Sequence, residues 1–490
     1  MPSGIDFFVL VCIINKDGSD NMLLPNYKEA RKRTKKEVTK ELYNYSGDKT
    51  LGKNKTYFLK TYGCQMNEHD SENIKAMLEE LGFTYIDDYM KADLVLLNTC
   101  SIRENAHNKA FGMLGRLKHL KEQKPELIVG LCGCMAQEEG VIDNILNKYK
   151  WVNFVFGTHN LHRLPNILET NFKTKHQEIE VLSEEGNIVE GMPVKRDSKY
   201  KAYVNIIYGC DKFCTYCIVP FTRGKQRSRD KEDIIKEVEE LVKQGYQEVT
   251  LLGQNVNAYG KDFDYKYTLE DLLEDVSKTN IPRIRFMTSH PWDFTDGMID
   301  VIAKHDNIMP FVHLPVQSGS SRVLKLMGRR YNKDSYLELF NKIKTKIPRV
   351  TISTDIIVGF PGETEEDFLE TLDVAEKCKF DNAFTFIYSK RENTAAAKLE
   401  DNTTLQEKEE RLQRLNKVMN EYFLKSNQKL VGEVVKVLVE GESSKEGKMF
   451  GYTETNKLIN FDAKEDLVGK IVSVKVMSAK TWSLDGELYE

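Results

Sequence analysis

The sequence predicts an α/β fold in three parts: an N-terminal parallel α/β domain, a central partial (β/α)6 TIM-like barrel and a small all-β barrel at the C-terminal end. From Thr56 onward, apolar strands alternate with amphipathic helices, which is typical of a parallel sheet. A second alternation begins at Tyr200 and repeats about six times, as a partial barrel with right-handed crossovers requires. Near the C-terminal end, Val472, Val474 and Val476 alternate with polar residues, so one face of a strand is buried.

The length of 490 residues exceeds what one hydrophobic core ordinarily supports, so several domains are expected. The predicted bounds are a basic N-terminal extension over 1–53, the α/β domain over 54–170, a polar linker over 171–198, the barrel over 199–425 and the all-β domain over 426–490. Roughly 60 residues of short strands suit a small closed barrel of the oligonucleotide-binding type.

The N-terminal extension carries a basic helical stretch, formed by Arg31, Lys32, Arg33, Lys35 and Lys36. We interpret this stretch as a solvated charged helix, with an RNA-contacting arm as the alternative. Met22 is a candidate for the true start of translation, which would make the residues before it incidental.

Composition narrows the class of protein. The formal net charge is only -4, so there is no global positive field for nucleic acid, and any RNA contact must come from local patches. Nine cysteines in a long Lys/Glu-rich chain suit metal ligation in a reducing compartment better than a disulfide scaffold. The apolar run Ile5 to Ile14 is too short to span a bilayer and has no basic residue ahead of it. We therefore expect a cytoplasmic protein without a membrane anchor.

The segment YGCDKFCTYC contains Cys210, Cys214 and Cys217 in a C-x3-C-x2-C spacing. Three thiolates can hold three irons of a 4Fe–4S cluster and leave one iron without a protein ligand. An open coordination position distinguishes a reactive metal site from a structural one. The next cysteine, Cys378, lies far downstream and offers no local fourth ligand. The alternative interpretation is a zinc knuckle or a group of buried thiols.

A second set of cysteines lies in the first α/β domain, where each follows a predicted strand: Cys64, Cys100 and Cys134. Equivalent ends of parallel strands meet at one edge of the sheet, so these thiols are expected to converge. We interpret them as a second three-thiolate cluster site, although each alone would be an ordinary buried thiol. Cys12, Cys132 and Cys378 are interpreted as core cysteines.

The motifs TYGCQMN, NTCSIRENA, GCMAQ and CDKFCTYC occur in this order and are followed by the all-β domain. In this respect residues 54–490 resemble the radical S-adenosylmethionine (SAM) methylthiotransferases. The resemblance implies an N-terminal methylthiotransferase domain with an auxiliary cluster, a radical-SAM core and a C-terminal TRAM domain that binds RNA. The spellings NTCSIRENA, FTRGKQRSR, TSHP and HLPVQSGS are most similar to the branch that acts on isopentenylated adenosine.

The implied reaction is methylthiolation of the isopentenylated adenosine 3′ of the anticodon in tRNA. Because the purine hydrogen is not acidic enough for a side-chain base, a cofactor must supply a radical. Two alternatives share this chemistry: a methylthiotransferase for threonylcarbamoyl-adenosine in tRNA and one for a ribosomal-protein aspartate. A third, from another class, is a non-catalytic iron–sulfur RNA-binding protein.

The resemblance also implies the cofactors and partners. It implies two 4Fe–4S clusters, one on the Cys210 set that binds SAM and an auxiliary one on the Cys64 set. The expected partners are the anticodon stem-loop of tRNA and an electron donor such as flavodoxin or ferredoxin, and the chain is expected to be a monomer. The residues expected to contact SAM are Tyr216, Gly253, Gln254, Asn255, Gln317, Ser318, Asp355 and Gly359. The basic residues expected beside the RNA are Arg223, Lys225, Arg227 and Arg229, flanked by Phe221, with a solvated basic loop as the alternative.

Overall fold

The computed structural model describes residues 22–32, 38–101, 104–184, 186–445, 447–463 and 467–489. The described chain divides into two units, one formed by residues up to 197 together with 218–225, and the other by 198–217 together with 226 onward. Within these residues, none of the helices combines the length and the apolar character needed to cross a bilayer. Cys12, the run Ile5 to Ile14 and most of the basic stretch after Arg31 lie outside the described residues.

The strands of the first unit are β1 Lys40–Leu42, β2 Thr56–Tyr62, β3 Thr84–Tyr85, β4 Leu94–Thr99, β5 Ile128–Gly133, β6 Phe154–Phe156, β7 Glu178–Glu180 and β8 Ile188–Glu190. Six of them form one sheet in the order β3-β2-β4-β5-β6-β7, in which every pairing is parallel, and β1 pairs with β8. Its helices are α1 Tyr27–Lys32, α2 Gln65–Glu80, α3 Glu104–Gln123, α4 Glu139–Lys148, α5 Leu164–Thr174 and α6 Val219–Thr222.

Both faces of this sheet are covered by helices, which explains why β4 is apolar at every position but its last two. Val95 and Leu97 pack in the same core as α3 and α4, whereas Leu94 and Leu96 pack in the core that contains α2 and α5. A parallel strand buried on both faces reads as a continuous apolar run. The predicted parallel α/β domain is confirmed.

The segment 171–198, predicted as a polar linker, contains two short strands. Strand β7 adds to the sheet beside β6, and β8 pairs with β1 from the expected extension. Ile179 is buried in the core, and the backbone amide of Leu23 donates to its carbonyl at 3.0 Å. Strands of three residues are too short to show an alternating pattern, so the sequence conceals them.

The second unit contains six parallel strands in two sheets, β13-β12-β9 and β14-β15-β16. The backbone between the sheets is joined where the amide of Met309 donates to the carbonyl of Ile284 at 2.9 Å. The strands are β9 Lys201–Asn205, β10 Ile207–Tyr208, β11 Arg227–Ser228, β12 Glu248–Leu252, β13 Arg283–Phe286, β14 Phe311–His313, β15 Thr351–Val358 and β16 Asn382–Ile387. The helices are α7 Lys231–Lys243, α8 Leu269–Ser277, α9 Asp296–Lys304, α10 Ser321–Leu326, α11 Lys333–Lys346, α12 Glu365–Cys378 and α13 Leu405–Gln428. The predicted partial barrel is confirmed.

The C-terminal strands close into a five-stranded barrel in the order β17-β18-β19-β21-β20. They are β17 Val434–Glu442, β18 Lys448–Thr453, β19 Leu458–Asp462, β20 Ile471–Ala479 and β21 Leu484–Leu488. Val474 and Val476 are fully buried in its core, as their alternation with polar residues predicts. The predicted small all-β barrel is confirmed.

Two arginines at the start of β13 attach this closed barrel to the partial barrel. Arg283 donates to the carbonyls of Tyr452 and Lys436 at 3.0 and 2.9 Å. Arg285 donates to the carbonyl of Thr453 at 2.8 Å and to the carboxylate of Glu248 at 2.9 Å. The closed barrel therefore covers the amino ends of the parallel strands, and the carboxyl ends remain for ligand loops.

Candidate active site

The first group of cysteines lies at the carboxyl edge of the parallel sheet in the first unit. The register aligns Tyr62 of β2 with Thr99 of β4, and Thr99 with Gly133 of β5. The cysteines follow these aligned positions within two residues: Cys64, Cys100 and Cys134. The thiol of Cys64 is hydrogen-bonded to that of Cys100. The edge of the sheet thus brings the three thiols together, as the spacing of strands and cysteines predicts.

The backbone at this edge depends on Gly133. Its φ is 93°, and a Cβ there would lie 2.4 Å from the carbonyl oxygen of Thr99. Only glycine adopts this conformation at so close an approach without strain. Gly133 therefore lets the chain pass the end of β4 and turn Cys134 into the site.

Two buried asparagines hold the strand ends and the start of α2 in place. The side-chain amide of Asn98 donates to the carbonyl of Asn67 at 2.8 Å and to the hydroxyl of Ser71 at 2.9 Å. Both asparagines have no solvent exposure. Sequence reasoning did not single them out, although the first precedes Cys100 in NTC and the second follows Cys64 in CQMN.

The first turn of α2 and a nearby arginine favour the thiolate form of Cys64. Cys64 is the N-cap of α2, where unpaired backbone amides carry partial positive charge. The hydrogen bond with Cys100, together with Arg223 and the amides of the first turn, lowers the pKa of Cys64 to about 6 against the opposing effect of burial. Cys134 is fully enclosed, and burial raises the pKa of its thiol although Arg223 opposes the shift.

Arg223 is the charged partner of this group. It lies in the short segment 218–225, which follows Cys217 in the chain and belongs to the first unit. Its Nε donates to Sγ of Cys134 at 3.1 Å, and its Nη2 donates to Oδ2 of Asp70 at 2.6 Å. Hydrophobic packing of Phe221 against Tyr27, with ring centroids 5.9 Å apart, holds the segment in place.

The second group of cysteines lies in the loop after β10, in the second unit. The backbone amide of Cys217 donates to the carbonyl of Cys214 at 2.9 Å, which closes a turn between the last two cysteines. Thr215 ties this turn to the end of α10, because its amide donates to the carbonyl of Met327 at 2.9 Å. Burial raises the pKa of Cys210 to about 11.

Arg329 is the cationic partner of the second group. Its Nη1 donates to Sγ of Cys214 at 3.3 Å. Its Nε donates to the hydroxyl of Tyr331 at 2.9 Å, and its Nη2 donates to the carbonyl of Pro315 at 3.2 Å. Each cysteine group thus has one guanidinium on a sulfur. Neither Arg329 nor Tyr331 was singled out from the sequence, because a pair of arginines after α10 carries no distinguishing motif.

Three buried polar atoms line the carboxyl ends of β9, β12 and β13: Oδ1 of Asn205, Oδ1 of Asn255 and Oγ of Ser289. Within the described part of the chain, none of these three has a hydrogen-bond partner. Buried polar atoms in folded proteins are nearly always paired. The arrangement therefore suits a polar ligand at this end of the sheet. The side-chain amide of Asn255 is positioned by the carboxylate of Asp293 at 2.9 Å.

Three family models match separate parts of the chain. The Radical SAM superfamily matches residues 204–375, and the TRAM domain matches residues 428–489. A third model, described as Uncharacterized protein family UPF0004, matches residues 56–157.

Curated relatives match along almost the whole chain. The tRNA-2-methylthio-N(6)-dimethylallyladenosine synthase of Staphylococcus saprophyticus is 55% identical over 471 residues, covering 94% of this chain and 91% of the relative. The chain belongs to this synthase family. The Staphylococcus aureus (strain Newman) synthase of the same name is 54% identical over 472 residues, with 94% and 91% coverage. The resemblance to radical-SAM methylthiotransferases drawn from the motifs is thereby confirmed.

Among solved structures, the synthase chain is similar to the radical S-adenosylmethionine methyltransferase TsrM from Kitasatospora setae. The TM-score is 0.51 with 13% identity, covering 70% of this chain and 77% of that one. At this identity the likeness concerns the fold alone. The match to the Radical SAM superfamily implies a 4Fe–4S cluster and SAM as cofactors.

The thiols fit the chemistry of such a cluster. In the described chain no three His, Cys, Asp or Glu side chains converge on a point where a single metal ion would bind. A 4Fe–4S cluster has a different requirement, because each cysteine binds a different iron. All eight described cysteines are free of disulfides, so the six predicted ligands are thiols that can coordinate iron.

The residues predicted to contact SAM fall into three groups. Tyr216 lies in the cysteine loop, Gln254 and Asn255 follow β12, and Asp355 lies inside β15; all four side chains are partly or fully buried. Ser318 is turned away, since its hydroxyl lies 3.4 Å from the hydroxyl of Thr371 on α12. Three others shape the backbone: Gly253, where a Cβ would lie 2.3 Å from Ile207; Gln317, with a φ of 67°; and Gly359, with a φ of 67°.

The arginines predicted to contact RNA are not on an exposed surface. Arg223, Arg227 and Arg229 have relative exposures of 6%, 7% and 7%. Arg229 donates to the carbonyl of Asn205 at 2.6 Å and to the carboxylate of Glu237 at 2.9 Å. Buried protein partners already bind the guanidinium groups of Arg223 and Arg229.

Proposed function

We propose that this chain converts the isopentenylated adenosine 3′ of the anticodon in tRNA into its 2-methylthio derivative, by radical-SAM chemistry. The observation that carries the proposal is the 55% identity to a tRNA-2-methylthio-N(6)-dimethylallyladenosine synthase over 94% of this chain. The positions of the six predicted cluster cysteines, three at strand ends of one sheet and three in the loop after β10, support the proposal. The relatives' names favour the dimethylallyl substrate over threonylcarbamoyl-adenosine and over a ribosomal-protein aspartate.

Two clusters belong to the proposal. Cys210, Cys214 and Cys217 would hold the cluster that binds SAM, and the Cys64 group would hold an auxiliary cluster. When bound, these groups supply the electron that cleaves SAM reductively and an iron site for the sulfur to be transferred.

The two arginines have a common task in this proposal. Arg329 and Arg223 each donate a hydrogen bond to a cysteine sulfur, at 3.3 and 3.1 Å respectively. Hydrogen bonds and positive charge beside a ligand sulfur stabilise the thiolate and raise the reduction potential of the group it binds. The arginines therefore hold thiolates in place and tune the electron affinity of each site.

SAM binding would use the unpaired polar atoms at the ends of β9, β12 and β13. The amide oxygens of Asn205 and Asn255 are suited to accept from an amino group, and the hydroxyl of Ser289 is suited to bind a carboxylate. Tyr216 packs edge-on against Phe360, with ring centroids 6.5 Å apart, beside the cysteine loop. This ring would pack against an apolar part of the cofactor.

Partners follow from the same reaction. The match to the TRAM domain and the closed barrel support tRNA as the partner. The electron for SAM cleavage comes from outside the chain, and we assign it to a protein donor such as flavodoxin or ferredoxin. The chain is proposed to act as a monomer.

The test is an anaerobic assay of the reconstituted protein with isopentenylated tRNA, SAM and dithionite, read by nucleoside mass spectrometry. We expect a 2-methylthio product with the wild type and with Cys378→Ala, a buried cysteine outside both groups. We expect none with Cys210→Ala or Cys134→Ala. Product from either variant, or modification of threonylcarbamoyl tRNA alone, would overturn the proposal. Intact clusters without any 5′-deoxyadenosine would instead indicate a non-catalytic RNA-binding protein.

A further inference from the structure

Two aromatic side chains on the last strand of the partial barrel are exposed. Phe384 and Phe386 of β16 are 46% and 39% exposed, although they belong to a strand whose other residues are at least half-buried. The interior of a parallel barrel is normally filled by side chains. Exposed aromatic rings at such a position mark a surface that binds a ligand.

The alternation of β16 shows which way these rings point. Ala383 packs in the core beneath the helices, and the hydroxyl of Thr385 donates to Asn416 of α13 at 2.6 Å. Successive side chains of a strand point to opposite faces. Phe384 and Phe386 therefore point into the barrel, away from the helical layer.

Contacts across the sheet agree with this direction. The ring of Phe384 meets the ring of His313 edge-on, with centroids 6.2 Å apart and an interplanar angle of 72°. His313 lies two strands away on β14, and its Nδ1 is 2.7 Å from the hydroxyl of Ser353 on the strand between them. The register places Ile357 beside Phe386, so an aliphatic side chain continues the apolar face.

The interior of the partial barrel thus has two chemically different sides. On β9, β12 and β13 the strand ends present unpaired amide and hydroxyl atoms, which suit the amino and carboxylate groups of SAM. On β15 and β16 the exposed face is formed by the rings of Phe384 and Phe386 and by Ile357, with the carboxylate of Asp355 set beside Phe384 by the register. Arg283 and Arg285 bind the closed barrel at the amino ends, so a ligand approaches this face from the carboxyl ends, where the Cys210 loop lies.

We propose that Phe384 and Phe386 bind the isopentenylated adenine, by stacking on the purine and by covering its apolar chain. This inference rests on the proposed function and names the residues that select its substrate. Proteins hold unpaired RNA bases on aromatic side chains, and a base taken out of its stack needs such a surface. The five-carbon isopentenyl group adds apolar area that a polar pocket would not recognise.

The experiment measures binding of two anticodon stem-loops, identical except for isopentenyladenosine or adenosine at the target position. The protein is the reconstituted full chain, and binding is followed by fluorescence anisotropy. We expect the wild type to prefer the isopentenylated RNA and the Phe384→Ala/Phe386→Ala variant to lose at least tenfold of that preference, or about 1.4 kcal/mol. Affinity for SAM is expected to change by less than about twofold, well below that tenfold step. The unmodified stem-loop is expected to bind more weakly to the double variant as well, because it loses the stacking on its purine, but by a smaller factor than the isopentenylated one.

The control is Leu369→Ala, because Leu369 is 47% exposed on the outer helix α12 and matches the exposure of Phe384. It is expected to retain the preference. The single variants Phe384→Leu and Phe386→Leu keep an apolar side chain without a ring, and are expected to lose part of the preference while retaining iron content and melting temperature.

Three outcomes would overturn the inference. One is a full preference in the double variant, and another is a loss of SAM affinity, which would assign this face to the cofactor. The third is a wild type that binds both RNAs equally. Methylthio product from the wild type together with either of the first two outcomes would leave the proposed function intact, whereas absence of product would count against the function itself.

Discussion

Arg223 donates a hydrogen bond from Nε to Sγ of Cys134 at 3.1 Å, inside the first unit. The same guanidinium is held by the carboxylate of Asp70 at 2.6 Å, and both charged side chains are nearly inaccessible to solvent. The guanidinium of Arg223 therefore places a positive charge beside the cysteine group, and the carboxylate of Asp70 holds it there. Two predictions follow from this arrangement, one for stability and one for redox chemistry.

Replacing Arg223 by methionine should destabilise the first unit. The change leaves the Asp70 carboxylate buried without its partner, and breaking a buried pair on one side costs about 3–5 kcal/mol. The measurement is the free energy of unfolding of the apoprotein in urea. The double variant Arg223→Met/Asp70→Asn should recover part of the loss, since it removes the unpaired charge. Equal destabilisation in the single and double variants would contradict the pairing.

Arg223 should also affect the reduction potential of the proposed auxiliary cluster. Removing a positive charge beside a ligand sulfur disfavours the reduced, more negative state, so Arg223→Gln should shift the potential to a more negative value. An anaerobic redox titration followed by electron paramagnetic resonance measures this, with Arg223→Lys as the variant that retains charge. An unchanged potential in Arg223→Gln at full iron content would show that the arginine does not act on this site.

Gly133→Ala should disrupt the edge of the sheet that carries Cys134. The left-handed conformation alone costs an alanine about 1–2 kcal/mol. At this position the new Cβ would also lie 2.4 Å from the carbonyl oxygen of Thr99. Gly191→Ala is the matched control, because Gly191 has a φ of 73° and no atom within 4 Å of its Cβ position.

The free energy of unfolding of both glycine variants separates the two costs. We expect Gly133→Ala to be less stable than Gly191→Ala and to bind less iron after reconstitution. Similar stability of the two variants would show that the chain at β4 and β5 relaxes around the added methyl group.

Lys457 should make stability depend on pH in the alkaline range. Burial lowers the pKa of Lys457 to about 8 from its ordinary value of 10.5, and its Nζ donates to Ser426 and Asn427 of α13. Because the folded pKa is lower, the unfolded chain binds more protons between these values, and stability rises as pH increases through this window. The rise should be smaller in Lys457→Met than in the wild type when urea unfolding is measured from pH 7.5 to 10.5. If the free energy of unfolding changes with pH in the same way in both proteins, Lys457 is not the source of the pH dependence.

Arg283 should hold the closed barrel on the partial barrel. Arg283→Ala leaves the carbonyls of Tyr452 and Lys436 without their donor, at a cost of about 1–3 kcal/mol for each buried group left unpaired. Faster hydrogen exchange in β17 and β18 is the expected result, measured by mass spectrometry. Arg349→Ala, at a side chain 81% exposed, is the control and should leave exchange unchanged. Unchanged hydrogen exchange in Arg283→Ala would mean that other contacts are sufficient to hold the closed barrel on the partial barrel.

Much of the fold was predictable because apolar runs and cysteines follow one another regularly along the chain. The strand ending at Thr99 is apolar on both faces, so its place in a parallel sheet follows from its composition. Once the strands are parallel and adjacent, the positions of Cys64, Cys100 and Cys134 follow from the register. The placement of these three cysteines at one edge of the sheet was therefore predictable from their spacing, as was the closed barrel from its short alternating strands.

Long-range contacts explain what the sequence could not predict. Arg223 lies in a run of basic residues that is typical of an RNA-binding loop, but its partner Asp70 is 153 residues away. The strand Glu178–Glu180 is too short to give a periodic signal. Phe384 and Phe386 look like ordinary strand residues until the alternation is oriented by Ala383 and the helices behind it.

The most direct test of the central claim separates the two cysteine groups in one protein. The Cys64→Ala/Cys100→Ala/Cys134→Ala variant is reconstituted anaerobically and assayed for iron, for 5′-deoxyadenosine and for the methylthio nucleoside. We expect about four irons in the variant against about eight in the wild type, from one and two 4Fe–4S clusters. SAM cleavage should persist and the methylthio product should be absent. Unchanged iron content, or methylthio product from the variant, would show that these three cysteines do not hold an auxiliary cluster that the reaction needs.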